Sequence, residues 1–182
     1  MPVPVVLAAA LQFALAATFL VLPVVVLVRG GAAQRAADTE MERQGLPPAL
    51  LAEHGIRFAE KTGEFALAMA IAASLVALAC LNLAGSGTGR VLSWIAEPLV
   101  LLAVGFVTGS QVFAERYTVA ALARSAAPGA RSVDARAVIA AASAAFPSWL
   151  RPVVVVRFGL ATLGSLLVVV LLALPAAGPH FS

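Results

Sequence analysis

The stretch VPVVLAAALQFALAATFLVLPVVVLV, Val3 to Val28, holds no charged side chain and one amide, Gln12. At 1.5 Å of rise per residue, about 20 apolar residues cross a ~30 Å hydrocarbon layer, so this run is long enough to span a bilayer. It also outruns the 7–15-residue apolar core of a secretory signal, and no basic residue precedes it. It therefore reads as a retained transmembrane helix. Three further stretches have the same character: Phe65–Ala84, Val91–Phe113 and Val153–Ala177. The expected fold is all-α and polytopic. Four transmembrane helices (3–28, 65–84, 91–113 and 153–177) form a bundle in one domain covering 1–182.

Composition agrees independently of these windows. The chain is 62% apolar and 12% charged, with a mean hydropathy of +0.99, whereas soluble domains are about 25% charged. The net charge of +3 does not point to nucleic acid, because the cations lie in loops beside the spans, where anionic lipid headgroups are the nearer partner. Eleven of the 12 basic residues are Arg, and Ala and Val abound while Ile, Asn and Lys are scarce. That bias suggests a GC-rich genome and a bacterial inner, or plasma, membrane.

Cation placement sets the expected threading. Arg29, Arg35, Arg43, Arg57 and Lys61 lie between spans one and two, and Arg116, Arg124, Arg131, Arg136 and Arg151 between spans three and four. The short second loop has Arg90 alone, and both tails lack cations. The positive-inside rule then makes loops 29–64 and 114–152 cytoplasmic, with an N-out/C-out topology. Both loops are expected to carry short amphipathic helices. In loop one a break is predicted at Gly45-Leu46-Pro47, followed by a helix over Ala49–Lys61 with Glu53 and Arg57 paired at i, i+4. Thr62 caps the second span, placing Glu64 in its first turn. In loop three, Ser125–Arg131 reads as a linker and Val133–Ala145 as a helix stopped by Pro147. Phe146, Trp149 and Arg151 form an aromatic-plus-cation anchor.

Motifs that carry familiar chemistry are missing. A single cysteine, Cys80, allows neither a redox pair nor an internal disulfide. His54 and His180 are expected on opposite sides of the membrane, so they share no metal. Gly85-Ser86-Gly87-Thr88-Gly89 lacks the lysine of a phosphate loop, and a tight turn between spans needs glycine for its geometry alone. No enzyme activity, cofactor or metal is expected.

The polar residues within the spans remain to be explained. Glu97, Leu101, Val104, Thr108, Gln111 and Glu115 share one line down span three. Glu64 and Asn82 lie five turns apart on one face of span two, and span one contributes Gln12 between Ala8 and Ala16. Glu97 costs ~2.5–3.5 kcal/mol near the bilayer centre and should point inward. By helical rise it lies roughly 9 Å below the outer end of its span, Gln12 ~13 Å and Asn82 ~3 Å, so these three can meet. Pro98 also removes the donor that the Trp94 carbonyl would use. Glu97, Gln12, Asn82, Thr108 and Gln111 thus form the candidate intramembrane polar site. Arg157 lies ~15 Å from Glu97 in depth. It is expected to snorkel at the cytoplasmic rim or to pair with Glu64 or Glu115. Small residues at Gly105/Gly109, Ala10/Ala14/Thr18 and Ala161/Ser165 offer surfaces for close helix approach.

Two function classes fit best. One is an accessory, assembly or scaffold subunit that docks a protein partner through its cytoplasmic loops. The other is a small oligomeric proton- or cation-coupled transporter or channel using the stripe of span three. An intramembrane enzyme ranks third, having no partner base for Glu97 or Cys80. The feature that separates the first two is whether the stripe lines a hydrated gap or is sealed by side chains.

Overall fold

The computed structural model describes residues 1–124 and 129–181, with no account of the side chains of Ala123 and Arg131. The fold is all-helical, without strands among the described residues. Among the described residues seven α-helices follow in chain order: α1 Val3–Arg43, α2 Ala49–Glu53, α3 Thr62–Leu83, α4 Gly87–Val112, α5 Ala114–Arg124, α6 Ala135–Ala144 and α7 Leu150–Ala173. Helices α1, α3, α4 and α7 are long and apolar enough to cross a membrane. The molecule is inverted relative to a water-soluble protein: Phe106 is 75% exposed and Glu97 only 1%. Leu99, Leu102, Leu163 and Leu166 are likewise exposed, which is stable only where the surroundings are apolar.

The chain divides into two compact units, one made of Met1–Val21, Ala66–Val112 and Pro152–Ser182, the other of Leu22–Phe65 and Phe113–Arg151. Charge follows this division. Arg90, Glu97 and Arg157 are the only charged side chains of the first unit, and every other Asp, Glu, Lys and Arg belongs to the second.

In the first unit, Leu15, Ala16 and Phe19 of α1 pack with Ala68, Ala72 and Leu75 of α3 and Ala161 of α7, joined by Val100 and Val104 of α4. Small residues permit this approach. A Cβ added at Gly105 would stand 3.1 Å from Thr162 Cγ2, and one at Gly109 would stand 3.4 Å from Phe158 Cε2. The buried face of α1 runs through Ala8, Gln12, Leu15 and Phe19; Ala10 and Ala14 are exposed. The small-residue line Ala10/Ala14/Thr18 therefore contributes only Thr18 to the interior. Helices α4 and α7 each contain a π-helical turn, Val100–Val104 and Leu160–Gly164. The first begins two residues after Pro98, where the missing N–H breaks the α-helical ladder.

Several boundaries differ from the sequence expectation. The first helix does not end at Val28 but continues to Arg43. Its interior Gly30 is needed because the Phe58 carbonyl oxygen lies 2.7 Å from where a Cβ would be. The Gly45 break closes as a Schellman motif: the Leu46 N–H donates to the Met41 carbonyl at 3.0 Å and Gly45 has φ +73°. The predicted Ala49–Lys61 helix stops at Glu53, because Gly55 (φ +68°) makes the same motif with Ile56 N–H on the Leu51 carbonyl at 2.8 Å. Arg57 then pairs with Glu64 at 2.9 Å rather than with Glu53. In loop three α5 is an additional helix, and Asp134 caps α6 by accepting from the Arg136 and Ala137 amides. The predicted linker lies outside the described residues over 125–128, and its remainder forms a 3₁₀ turn, Ala130–Ser132.

The second unit has its own core. Ala33, Ala37 and Met41, spaced by one turn along α1, pack with Leu50 and Leu51 of α2 and with Val138 and Ala142 of α6. Gln34 Oε1 accepts from the Phe58 N–H at 3.0 Å and Gln44 Oε1 from the Asp134 N–H at 2.8 Å, tying both irregular segments to α1.

Candidate functional site

Helices α1, α3, α4 and α7 each send polar side chains into the interior of the first unit. Glu97 projects from α4 ten residues after Gly87, the first residue of that helix. Gln12 Nε2 donates to Glu97 Oε1 at 2.9 Å and to Ser93 Oγ at 3.2 Å. Asn82 Nδ2 donates to Ser93 Oγ at 2.8 Å and to Gln12 Oε1 at 3.1 Å. All four side chains are buried. From α7 the Ser165 hydroxyl reaches the Glu97 carboxyl. The structure thus brings together Glu97, Gln12 and Asn82 and adds Ser93 and Ser165. Ser93 stands one turn before Glu97 on the same face, a position the helical period marks. Ser165 stood in the sequence only as a small residue for packing.

The outer shell of this cluster is built by the turn between α3 and α4 and by the C-terminal segment. Gly85, at φ +74°, ends α3 in a third Schellman motif, with Ser86 N–H on the Leu81 carbonyl at 3.0 Å. Ser86 Oγ then caps α4 by accepting from the Gly89 N–H at 3.3 Å. This tight reversal sets Asn82 and Ser93 side by side. After α7, Leu174 turns out of the helix and Pro175–His180 forms a 3₁₀ helix. His180 Nε2 lies 3.1 Å from the Asn82 carbonyl and 3.2 Å from that of Leu83, satisfying the end of α3. Arg90 stacks over Trp94 at 4.7 Å and Phe181 at 5.2 Å and donates to the Leu172 carbonyl at 2.9 Å.

Thr108 and Gln111 lie apart from the cluster. The Thr108 hydroxyl donates to the Val104 carbonyl of its own helix at 2.8 Å. Gln111 Oε1 accepts from Arg157 Nη2, and the guanidinium stacks over Phe19 with its carbon 5.4 Å from the ring centroid. Arg157 is buried with Gln111 and Phe19 against its guanidinium; Glu64 and Glu115 are the other two charges expected at the rim. Those two carboxylates belong to the second unit, where Glu64 pairs with Arg57 at 2.9 Å and Glu115 with Arg136 at 2.8 Å. The reason is the end of α4 at Val112, which removes Glu115 from the stripe, and the start of α3 at Thr62, which brings Glu64 Oε2 onto the Lys61 N–H.

Among the described residues, no three His, Cys, Asp or Glu side chains gather as metal ligands. The cluster is an amide–hydroxyl–carboxylate network of a kind that fixes helices against one another. No protein-family model, curated protein or solved structure matches this chain.

Proposed function

We propose that this protein is an accessory or scaffold subunit of a bacterial plasma membrane, a four-helix bundle with both termini outside and the charged second unit in the cytoplasm as its docking portion. One observation carries this reading. The polar line of α4 is closed by side chains: Glu97 is held by Gln12, Thr108 turns onto its own backbone, and Arg157 covers Gln111. A transporter needs that line hydrated along its length, whereas a scaffold needs it locked. Interhelical hydrogen bonds between amide and hydroxyl groups favour locking, since each contributes ~0.6 kcal/mol and fixes helix register. The concentration of charge in the second unit supports an aqueous setting for it, and its ten Lys and Arg residues support the cytoplasmic side.

The test combines two measurements on the full chain. Purification in mild detergent is expected to retain one membrane protein in a fixed ratio. Proteoliposomes containing the chain alone are expected to hold an imposed proton or Na⁺ gradient as well as empty vesicles do. A leak that disappears in Glu97→Leu would instead establish the transporter or channel reading.

A further inference from the structure

Helix α1 runs unbroken from Val3 to Arg43, past Val28, the last residue of the uncharged stretch, and on into the charged unit. One stripe of its surface carries that change from apolar to charged. By the helical period, Val24, Leu27, Val28, Gly31 and Arg35 fall within about 100° of one another. All five are exposed, Val28 at 70%.

Arg35 lies down along this stripe toward the membrane. A Cβ added at Gly31, one turn nearer the span, would meet only Arg35 Nη1, at 3.6 Å. Helical side chains lean toward the N-terminus, which in α1 is the membrane direction, and the bare backbone at Gly31 leaves room for the guanidinium. No protein group draws it there. Among the described residues the guanidinium has no hydrogen-bond or ion-pair partner, since Asp38 accepts from Gln34 and Glu40 from Arg43. Gly31 stands ~4.5 Å beyond Val28 by helical rise, and the headgroup layer is about 5–7 Å thick on each side of the hydrocarbon. The guanidinium thus sits at headgroup height, although its own Cα lies ~10 Å beyond Val28.

The neighbouring chain adds to the positive field. Phe58 and Ala59 cross α1 against Gly30, which brings Arg57 and Lys61 within two residues of the crossing. Glu64 is occupied by Arg57 and by the Lys61 N–H. Over residues 29–38 and 57–64, four cations stand against three carboxylates, so the surroundings of Arg35 keep a positive excess.

We propose that this stripe binds one anionic phospholipid, its phosphate seated on Gly31 under the Arg35 guanidinium and its acyl chains running along Val24, Leu27 and Val28. The planar guanidinium fork matches two phosphate oxygens at once. The excess of positive charge favours a lipid without an ammonium in its headgroup. The bound lipid fixes the height of α1 at the point where the helix leaves the bilayer. This inference requires only that α1 crosses the membrane, and it holds whether the second unit docks a partner or not.

Thermal unfolding of the purified full chain in mild detergent tests this, with phosphatidylglycerol or phosphatidylcholine added at equal mole fraction and constant ionic strength. The midpoint is expected to rise with phosphatidylglycerol, as for any ligand of the folded state, and to rise less with phosphatidylcholine. Arg35→Gln, an exposed substitution, should raise the half-saturating phosphatidylglycerol concentration on the order of tenfold. Gly31→Leu, which keeps the arginine and fills its seat, should do the same. Arg124→Gln, which removes an exposed cation from α5, should leave the response unchanged. The proposal is overturned if phosphatidylcholine or inorganic phosphate stabilises as well as phosphatidylglycerol. It is equally overturned if Arg35→Gln and Gly31→Leu respond like the unaltered chain, or if Arg124→Gln weakens the response as much as they do, since total charge rather than this stripe then governs binding.

Discussion

Gln12 Nε2 and Glu97 Oε1 lie 2.9 Å apart although 85 positions separate the two residues in sequence. This bond joins α1 to α4, and the same Gln12 side chain also contacts Ser93 and Asn82. One amide thereby sets the register of three helices. Gln12→Leu removes these contacts and strands a buried carboxylate oxygen. It is expected to lower stability in detergent by about 1–3 kcal/mol, measured by unfolding in a graded denaturing detergent. A loss below ~0.3 kcal/mol would show that the network contributes nothing to holding the helices.

Glu97 and Arg157 should act independently. Glu97 is held by Gln12, whereas Arg157 is held by Gln111 and Phe19. In a double-mutant cycle, the effects of Glu97→Gln and Arg157→Gln on stability should add to within ~0.5 kcal/mol, as for sites with no shared partner. The cycle of Arg157→Gln with Gln111→Ala should show clear coupling. Coupling well above 1 kcal/mol in the first cycle would mean that the two spans are misregistered.

Two adjacent glycines in α1 should respond oppositely to alanine. A Cβ at Gly30 would lie 2.7 Å from the Phe58 carbonyl oxygen, while one at Gly31 meets only Arg35 Nη1 at 3.6 Å. Gly30→Ala should therefore destabilise the second unit and expose the Phe58 segment to protease. Gly31→Ala should be neutral or stabilising by up to ~1 kcal/mol, the ordinary helix preference for alanine. Limited proteolysis of the two variants checks this, and equal behaviour would contradict the packing of Phe58 on α1.

Reporter fusions test the threading. Alkaline phosphatase inserted at Gly45 or Gly129 should be inactive, and a fusion following Phe181 should be active, if the second unit is cytoplasmic. High activity at Gly45 would reverse the orientation.

The four apolar helices were legible in the sequence because crossing a hydrocarbon layer demands length and hydropathy, and both are local properties of a segment. The inward direction of Glu97, and its meeting with Gln12 and Asn82, followed from helical period and depth, since straight helices in one slab convert residue number into height. The small-residue face at Gly105 and Gly109 was equally readable, because close helix approach leaves little room for larger side chains.

Other features depended on contacts between segments far apart in the chain. The extension of α1 to Arg43 rests on tertiary packing of Ala33, Ala37 and Met41 against α2 and α6, which carries two glycines through a helix that propensity alone would end. Whether Ser165 serves as a small packing surface or as a polar neighbour of Glu97 depends on how α7 is rotated against α4, and periodicity within α7 leaves that rotation free. Arg157 shows the same limit. Its choice of Gln111 and Phe19 was decided by which helices flank α7. Sequence thus determined which segments are long and apolar enough to cross a membrane, because that follows from the properties of one helix against a uniform solvent. Only the tertiary structure decided which polar groups satisfy one another, because that depends on the relative rotation and register of several helices at once.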